Sequence, residues 1–243
     1  MLGALWGHIM TTSSPTNSAW TIGSVLSESW RKVAGFKATY AIAMVIYVAV
    51  ALAAELVMGL LFGWDYAESA SGDALTGAVI LEIVISIAMI PLGVGLGLIS
   101  VRRAAGKPVS PTLIFEPYQH ALPIIVMMIM MFFLIIAGYL LFIIPGIYLS
   151  VAYSFAPYLI TEKNMGAWQS LEESRKAITK YWWRYFGLMW VSLFLIIAGT
   201  IPLLIGLFWV LPLVTIAVGE VFARTFRIRS GPRKVPMRDP RID

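Results

Sequence analysis

The feature that most constrains the fold is a run of forty residues, Ala121 to Ile160, without a single Asp, Glu, Lys or Arg. One helix of that length would measure about 60 Å, roughly twice the ~30 Å hydrocarbon core of a bilayer. Near the middle of the run stand Pro145 and Gly146, a pair typical of turns. We therefore predict two membrane-spanning helices that meet at Pro145–Gly146, with the second helix over about 147–161.

The same pattern recurs elsewhere in the chain. Residues 186–219 are uncharged and have prolines and a glycine near their middle, which predicts another hairpin. With 59% hydrophobic and 13% charged residues, the chain lacks the polar coat of a soluble protein. The sequence therefore predicts an all-α, polytopic membrane protein with about six transmembrane helices in three hairpins. The four other spans are expected at about 40–62, 78–100, 187–207 and 209–226.

Basic residues are confined to one side of this predicted bundle. The segments 38–101, 108–162 and 185–223 contain no Lys or Arg, and each holds one hairpin. The long loop of the first hairpin, GWDYAESASGDALTG, carries only acidic charges. Because Lys and Arg favour cytoplasmic loops, we expect a multi-pass membrane protein with both termini in the cytoplasm. The net charge of +5 then reflects topology, and we expect no nucleic-acid partner.

An amphipathic segment precedes each hairpin. Apolar residues recur at helical spacing over 26–40 and 168–185, whereas the middle segment, SPTLIFEPYQHALP, has a weaker pattern. Helices of this kind lie in the headgroup plane, with aromatic side chains at the boundary. We therefore expect an interfacial amphipathic helix before each hairpin. The expected interfacial anchors are Trp30, Trp168, Tyr181, Trp182, Trp183 and Tyr185.

The chain is expected to divide into a membrane domain and two tails. Residues 1–19 are predicted to be a flexible N-terminal tail, in which 1–9 is a cloning remnant or an upstream start. Residues 20–228 form the six-helix domain, and the proline-rich residues 229–243 form a basic, disordered cytoplasmic tail. Each basic residue near an anionic leaflet contributes ~1 kcal/mol to membrane binding. The alternative explanation for these basic residues is that they anchor the topology. The expected acidic-lipid contacts are Arg224, Arg227, Arg229, Arg233 and Lys234.

Two acidic residues fall within predicted spans. Glu55 lies late in the first span and Glu82 early in the second, so both are expected in the outer half of the bilayer. An ionised carboxylate there costs several kcal/mol unless it is protonated, hydrogen-bonded or hydrated. Small residues at helical spacing predict that both acids face inward. With Ser86 they form a candidate site for a proton, a cation or a lipid headgroup; the alternatives are a hydrogen bond that pins the hairpin, or a Glu82 that reaches the outer surface.

The remaining motifs point to packing rather than to chemistry. GVGLG (93–97) follows an apolar helix instead of a strand, so we interpret it as a helix-packing motif and not as a dinucleotide loop. Glu116 and His120 are four residues apart, but two ligands make a weak metal site, and we expect a hydrogen-bonding histidine. Glu220 and Arg224 are expected to form a local ion pair. We expect no catalytic residues, no cofactor and no metal.

Four segments carry a likeness to a known family: SESWRKV (27–33), IIPGIYLSVAYSFAPYLITE (143–162), LEESRKAITKYWWRYFGLMW (171–190) and LPLVTIAVGEVFARTFR (211–227). They resemble the bacterial membrane domain that is fused to some glycerophosphodiester phosphodiesterases, and its free-standing relatives of unknown function. The resemblance implies a six-helix bundle of the bacterial cytoplasmic (inner) membrane, with interfacial helices, over about residues 20–228. It implies no catalytic residue, because the phosphodiesterase chemistry belongs to a separate barrel domain.

Two functions follow as hypotheses. The first is a non-catalytic scaffold or accessory subunit that contacts membrane lipids and partner membrane proteins or further copies of itself. The third span, IIVMMIMMFFLII, has no polar stripe, which favours a surface that faces lipid or another subunit. The alternative is a transporter or lipid-handling protein that uses Glu55 and Glu82, although six short helices leave little room for a central cavity.

Overall fold

The computed structural model describes residues 20–64, 72–201 and 206–228, and within these ranges the regular structure is entirely helical. Helices α1 to α3 come first, followed by a 3₁₀ segment and then by α4 to α9. Their bounds are α1 Ile22–Val33, α2 Lys37–Phe62, α3 Asp73–Ala104, the 3₁₀ segment Pro111–His120, α4 Ala121–Leu141, α5 Ile143–Ala152, α6 Ala156–Lys163, α7 Ala167–Thr179, α8 Trp182–Thr200 and α9 Leu207–Phe226.

Six helical stretches in the described residues are long and apolar enough to cross a membrane. Consecutive stretches pack against each other as three hairpins: α2 with α3, α4 with α5–α6, and α8 with α9. The predicted all-α, polytopic membrane fold is therefore confirmed. The six stretches are Lys37–Phe62, Leu75–Ala104, Pro111–Leu141, Ile143–Lys163, Trp182–Thr200 and Leu207–Phe226.

The second hairpin turns close to the predicted place, but at a different residue. Helix α4 ends at Leu141, and Phe142 is extended, with φ −164° and ψ 153°. Pro145 lies in the first turn of α5, where the missing N–H costs no helical hydrogen bond. A Cβ at Gly146 would overlap the Tyr139 ring of α4, so glycine lets the two arms touch. Pro145 thus lies at the start of the second arm, and Gly146 packs that arm against the first. The chain itself turns at Phe142.

The second arm is interrupted rather than continuous. Helix α5 ends at Ala152, a turn occupies residues 153–155, and α6 then continues towards the end of the span. Buried Ser174 of α7 bonds to both sides of this break: its hydroxyl donates to the Ala152 carbonyl at 2.7 Å and accepts from the Phe155 N–H at 3.2 Å. Helix α7 therefore docks on the protein and satisfies backbone groups that the break exposes.

The other two predicted interfacial segments also pack on the protein. Helix α1 buries Val25, Ser29 and Val33 and lies mainly against α9. The 3₁₀ segment lies along α3, where the Tyr118 hydroxyl donates to the Ala88 carbonyl at 2.9 Å. All three segments are thus helical where predicted, but each has one face committed to protein contacts.

The GVGLG motif explains how these elements approach α3. A Cβ at Gly95 would overlap the carbonyl oxygen of Ile114 in the 3₁₀ segment, and a Cβ at Gly97 would overlap the hydroxyl of Tyr158 in α6. The packing interpretation is therefore confirmed for these two glycines. Around Gly93, in contrast, no atom lies within 4 Å of a Cβ position. Gly93 faces open space.

The two ends of the bundle differ in packing. The basic end comprises the start of α2 and the ends of α3, α6 and α9, next to which the described Lys and Arg lie; the far end comprises the ends of α2, α4 and α8. In α9, residues 212–223 near the basic end are mostly buried. At the far end, Leu140 and Ile144 are 82% and 79% exposed. The basic end is packed, whereas the far half presents apolar side chains to its surroundings.

Candidate functional site

A buried ion-pair cluster joins three elements at the basic end. The Glu162 side chain, 1% exposed, accepts a hydrogen bond from Arg102 at 2.6 Å and another from Lys107. Arg102 also binds Glu116 through two parallel hydrogen bonds, one of them at 2.6 Å. Arg102 therefore links α3 to both α6 and the 3₁₀ segment. Sequence analysis missed this cluster because Glu162 and Arg102 are 60 residues apart, so no local spacing reveals the pair.

A second cluster attaches α1 to the end of α9. The Glu220 side chain is 7% exposed and accepts from Arg224 at 2.9 Å, which confirms the predicted local ion pair. It also accepts from Lys32 of α1 at 2.6 Å, and Lys32 in turn donates to the Ala104 carbonyl at 2.6 Å. This amphipathic helix is therefore held by a charged contact as well as by its apolar face.

Both clusters have the character of structural ties. Removing one partner of a buried pair leaves an uncompensated charge, at a cost of roughly 3–5 kcal/mol. On the solvent-accessible face of α7, the hydrogen bond from Arg175 lowers the pKa of Glu172. Each described carboxylate at the basic end has a cationic partner within 4 Å, so its oxygens are engaged in ion pairs.

Glu116 and His120 contact different side chains. Glu116 faces Arg102, whereas the Nε2 atom of His120 lies 2.9 Å from the Oδ1 atom of Asn164. The prediction of a hydrogen-bonding histidine is therefore confirmed. In the part of the chain that the structure describes, no three His, Cys, Asp or Glu side chains come together as metal ligands.

The predicted aromatic anchors divide into exposed and buried groups. Trp30 and Trp168 are each 58% exposed and Trp183 is 78% exposed, so all three can reach a headgroup region. Tyr181 and Trp182 are half-buried. Tyr185 corrects the prediction, because α8 turns its ring inward: it is 1% exposed and lies 5.0 Å from the Phe155 ring.

Of the predicted acidic-lipid contacts, two lie in the described residues, and one of these two is part of an ion pair. Arg224 already binds Glu220, which corrects the expectation of a cation that is available to lipid. Arg227 is exposed and ends α9 with a left-handed backbone, φ 54°. The other three predicted contacts lie outside the described residues: Arg229, Arg233 and Lys234.

The candidate intramembrane site has a different orientation from the one predicted. Glu55, Glu82 and Ser86 are all exposed on the surface of the bundle, so the inward orientation is wrong. The physical reason is that neighbouring helices cover little of α2 and α3, whose apolar stretches are only 11% and 22% buried. The roles proposed for these residues, binding a proton, a cation or a headgroup, remain predictions.

Glu82 and Ser86 line the outer part of a groove along α3. This outer part has a volume of about 470 Å³. The inner part has a volume of about 350 Å³ and continues between α2, α4 and α6. Ser86 and Ile90 belong to both parts, and the groove opens sideways instead of into the bundle. The outer part is lined by Val79, Glu82, Ile83, Ser86, Ile87 and Ile90; the inner part adds Tyr47, Met89, Gly93, Val94, Met128, Pro157 and Tyr158.

The composition of this groove suits an amphiphile. A carboxylate and a hydroxyl stand towards the far end, and apolar side chains line most of the remaining wall. Pockets with mostly apolar walls and a few polar groups orient ligands that have an apolar body and a polar end. A lipid has that chemistry, whereas a small hydrophilic solute does not.

Comparison with protein-family models, with curated proteins and with solved structures gives no match for this chain. The resemblance to the membrane domain of some glycerophosphodiester phosphodiesterases therefore stays a prediction.

Proposed function

We propose that this chain is a non-catalytic integral membrane protein, a scaffold or accessory subunit that contacts lipids and partner membrane proteins. The observation that carries the proposal is the contrast between the two halves of the bundle. Ion pairs of the buried carboxylates Glu162 and Glu220 fix the basic end, whereas many apolar side chains in the described part of the far half are exposed. A rigid base with an open apolar half is suited to receive a lipid or another helix.

The proposal includes a place in the bacterial cytoplasmic membrane with both termini in the cytoplasm. Its support is the charge pattern: each of the three Lys- and Arg-free segments covers one hairpin except for the helix ends at the basic end. The positive-inside rule then assigns the basic end to the cytoplasm and the far end to the outside. In the described residues, α1, the 3₁₀ segment and α7 add protein contacts at the basic end.

A second candidate function, lipid handling, is favoured by the groove along α3. The positions of Glu55 and Glu82 argue against an ion or proton transporter. Both side chains are exposed on the surface of the bundle and do not lie along a path through it. Transporters generally place such acids at the interface of their repeats near the midplane.

The test is site-specific photo-crosslinking in native membranes, with the crosslinker at an exposed apolar residue of either half. We expect Leu140, which is 82% exposed at the far end, to give a protein adduct of one defined mass. The matched control is Leu122, 72% exposed at the start of α4 near the basic end, which should give only lipid adducts. Lipid adducts alone at both positions would favour lipid handling over the scaffold.

Ion flux supplies an independent check on the transporter alternative. The purified protein in liposomes is expected to carry no proton or cation current, and Glu55→Gln or Glu82→Gln should therefore change nothing. A flux that either substitution abolishes would overturn the scaffold proposal.

A further inference from the structure

We propose that the groove along α3 binds one phospholipid with a primary-amine headgroup, of the phosphatidylethanolamine type, with its ammonium at Glu82 and an acyl chain reaching Gly93. This inference deepens the lipid contacts of the proposed function and rests on the orientation assigned there.

The groove is long enough to span the hydrocarbon part of one lipid leaflet. From Val79 to Gly93 it follows fourteen residues of α3, about 21 Å at 1.5 Å per residue. Half of a ~30 Å hydrocarbon core is about 15 Å, so a chain that enters from the far side can lie along the groove as far as the middle of the bilayer.

The depth of Glu82 suits a headgroup contact. Helix α3 has 32 residues, a length of about 48 Å, and exceeds a ~30 Å core by about 18 Å. Glu82 lies nine residues after Asp73, about 14 Å from the start of the helix. If the excess is shared between the two ends, Glu82 lies within about one turn of the hydrocarbon boundary.

Gly93 gives the groove room for hydrocarbon. Its missing side chain leaves open space, and Val94, Met128, Pro157 and Tyr158 line the groove beside it. At this depth a bilayer supplies only acyl chains, so an acyl chain is the occupant that these walls can bind without the loss of hydrogen bonds.

Charge complementarity selects the headgroup. The sequence has no Lys or Arg over 38–101, whereas Glu55, Asp73 and Glu82 are exposed in the far half of the first hairpin. An anionic headgroup without an amine would meet only like charge there, whereas an ammonium meets opposite charge. An ammonium also donates three hydrogen bonds, which a quaternary choline cannot do. Ser86, one helical turn from Glu82, lies on the same face and can bond the phosphate.

Native mass spectrometry of the full chain tests the proposal directly. The purified protein is offered an equimolar mixture of phosphatidylethanolamine, phosphatidylglycerol and phosphatidylcholine with identical acyl chains. We expect one retained lipid, with phosphatidylethanolamine favoured about tenfold over each of the others, the ratio that one charge-assisted hydrogen bond supplies. Equal occupancy by the three lipids, or a preference for phosphatidylglycerol, would overturn the proposal.

Two variants separate the headgroup contact from the chain contact. Glu82→Gln should retain a lipid but lose the preference for phosphatidylethanolamine. Gly93→Leu should displace every lipid, because its side chain extends into the groove from a Cβ position that has no neighbour within 4 Å. The matched control is Ala53→Leu on α2, which adds the same bulk at an exposed position outside the groove. Lipid retention in Gly93→Leu equal to that in the control contradicts the site.

The outcome of this experiment is separate from that of the proposed function. Loss of lipid selectivity leaves the protein adduct at Leu140 unaffected, and absence of that adduct leaves the lipid competition unaffected. A failure of one proposal is therefore recognisable while the other stands.

Discussion

The substitution Glu162→Gln tests the structural role of the buried ion-pair cluster. Glu162 is 1% exposed and accepts charged hydrogen bonds from Arg102 and Lys107. A neutral amide presents one acceptor and one donor group to two cationic donors, so one charge loses its partner. Breaking a fully buried pair costs roughly 3–5 kcal/mol. Arg102 keeps Glu116 and Lys107 is 30% exposed, so we expect a smaller loss of about 2–3 kcal/mol in the free energy of unfolding.

The assay is reversible unfolding in mixed micelles, followed by helical circular dichroism. The matched control is Glu172→Gln on α7, whose ion pairs with Arg175 and Lys176 are accessible to solvent, and we expect a much smaller loss there. A double substitution, Glu162→Gln with Lys107→Met, should recover part of the stability because it removes the orphaned ammonium. If Glu162→Gln and the control unfold alike, the cluster does not hold the basic end together.

Three further predictions concern other parts of the bundle. Gly95→Ala should destabilise the protein by more than about 2 kcal/mol, because its Cβ strikes the backbone of Ile114; a melt unchanged from that of the wild type would contradict this contact. Glu55→Gln should leave the unfolding midpoint unchanged, since its side chain is exposed, and a shifted midpoint would show a structural role. The lowered pKa of Glu172 means that its contribution to stability is present above its ordinary pKa of about 4.5 and is lost as the pH falls through the lower value of the folded state. Acid unfolding of Glu172→Gln should lack that component, and an identical pH profile would contradict it.

The fold was open to prediction from sequence because the membrane imposes strong constraints. Uncharged runs of known length, interrupted by Pro145–Gly146 in one case, define spans and hairpins without knowledge of any contact. The local pair Glu220–Arg224 was also predictable, because i, i+4 spacing on a helix brings the two side chains together.

Contacts between distant segments were not predictable in this way. The bond between Ser174 and the break after Ala152 depends on how α7 docks, which no sequence spacing encodes. The orientation of Glu55 was wrong for a related reason: small residues on one face indicate close packing only if a neighbouring helix lies there, and in the far half few do. Tyr185 has the composition of an interfacial anchor, but its position on α8 places it against Phe155 in the core.

Every functional proposal depends on the basic end facing the cytoplasm, and single-cysteine labelling measures this directly. The chain has no Cys, so Asp73→Cys and Lys180→Cys each introduce one unique thiol, at exposed residues next to the far end and the basic end respectively. In right-side-out spheroplasts, an impermeant maleimide is expected to label Asp73→Cys at once and Lys180→Cys only after lysis. Labelling of Lys180→Cys before lysis would contradict the topology, and with it the leaflet assigned to the groove.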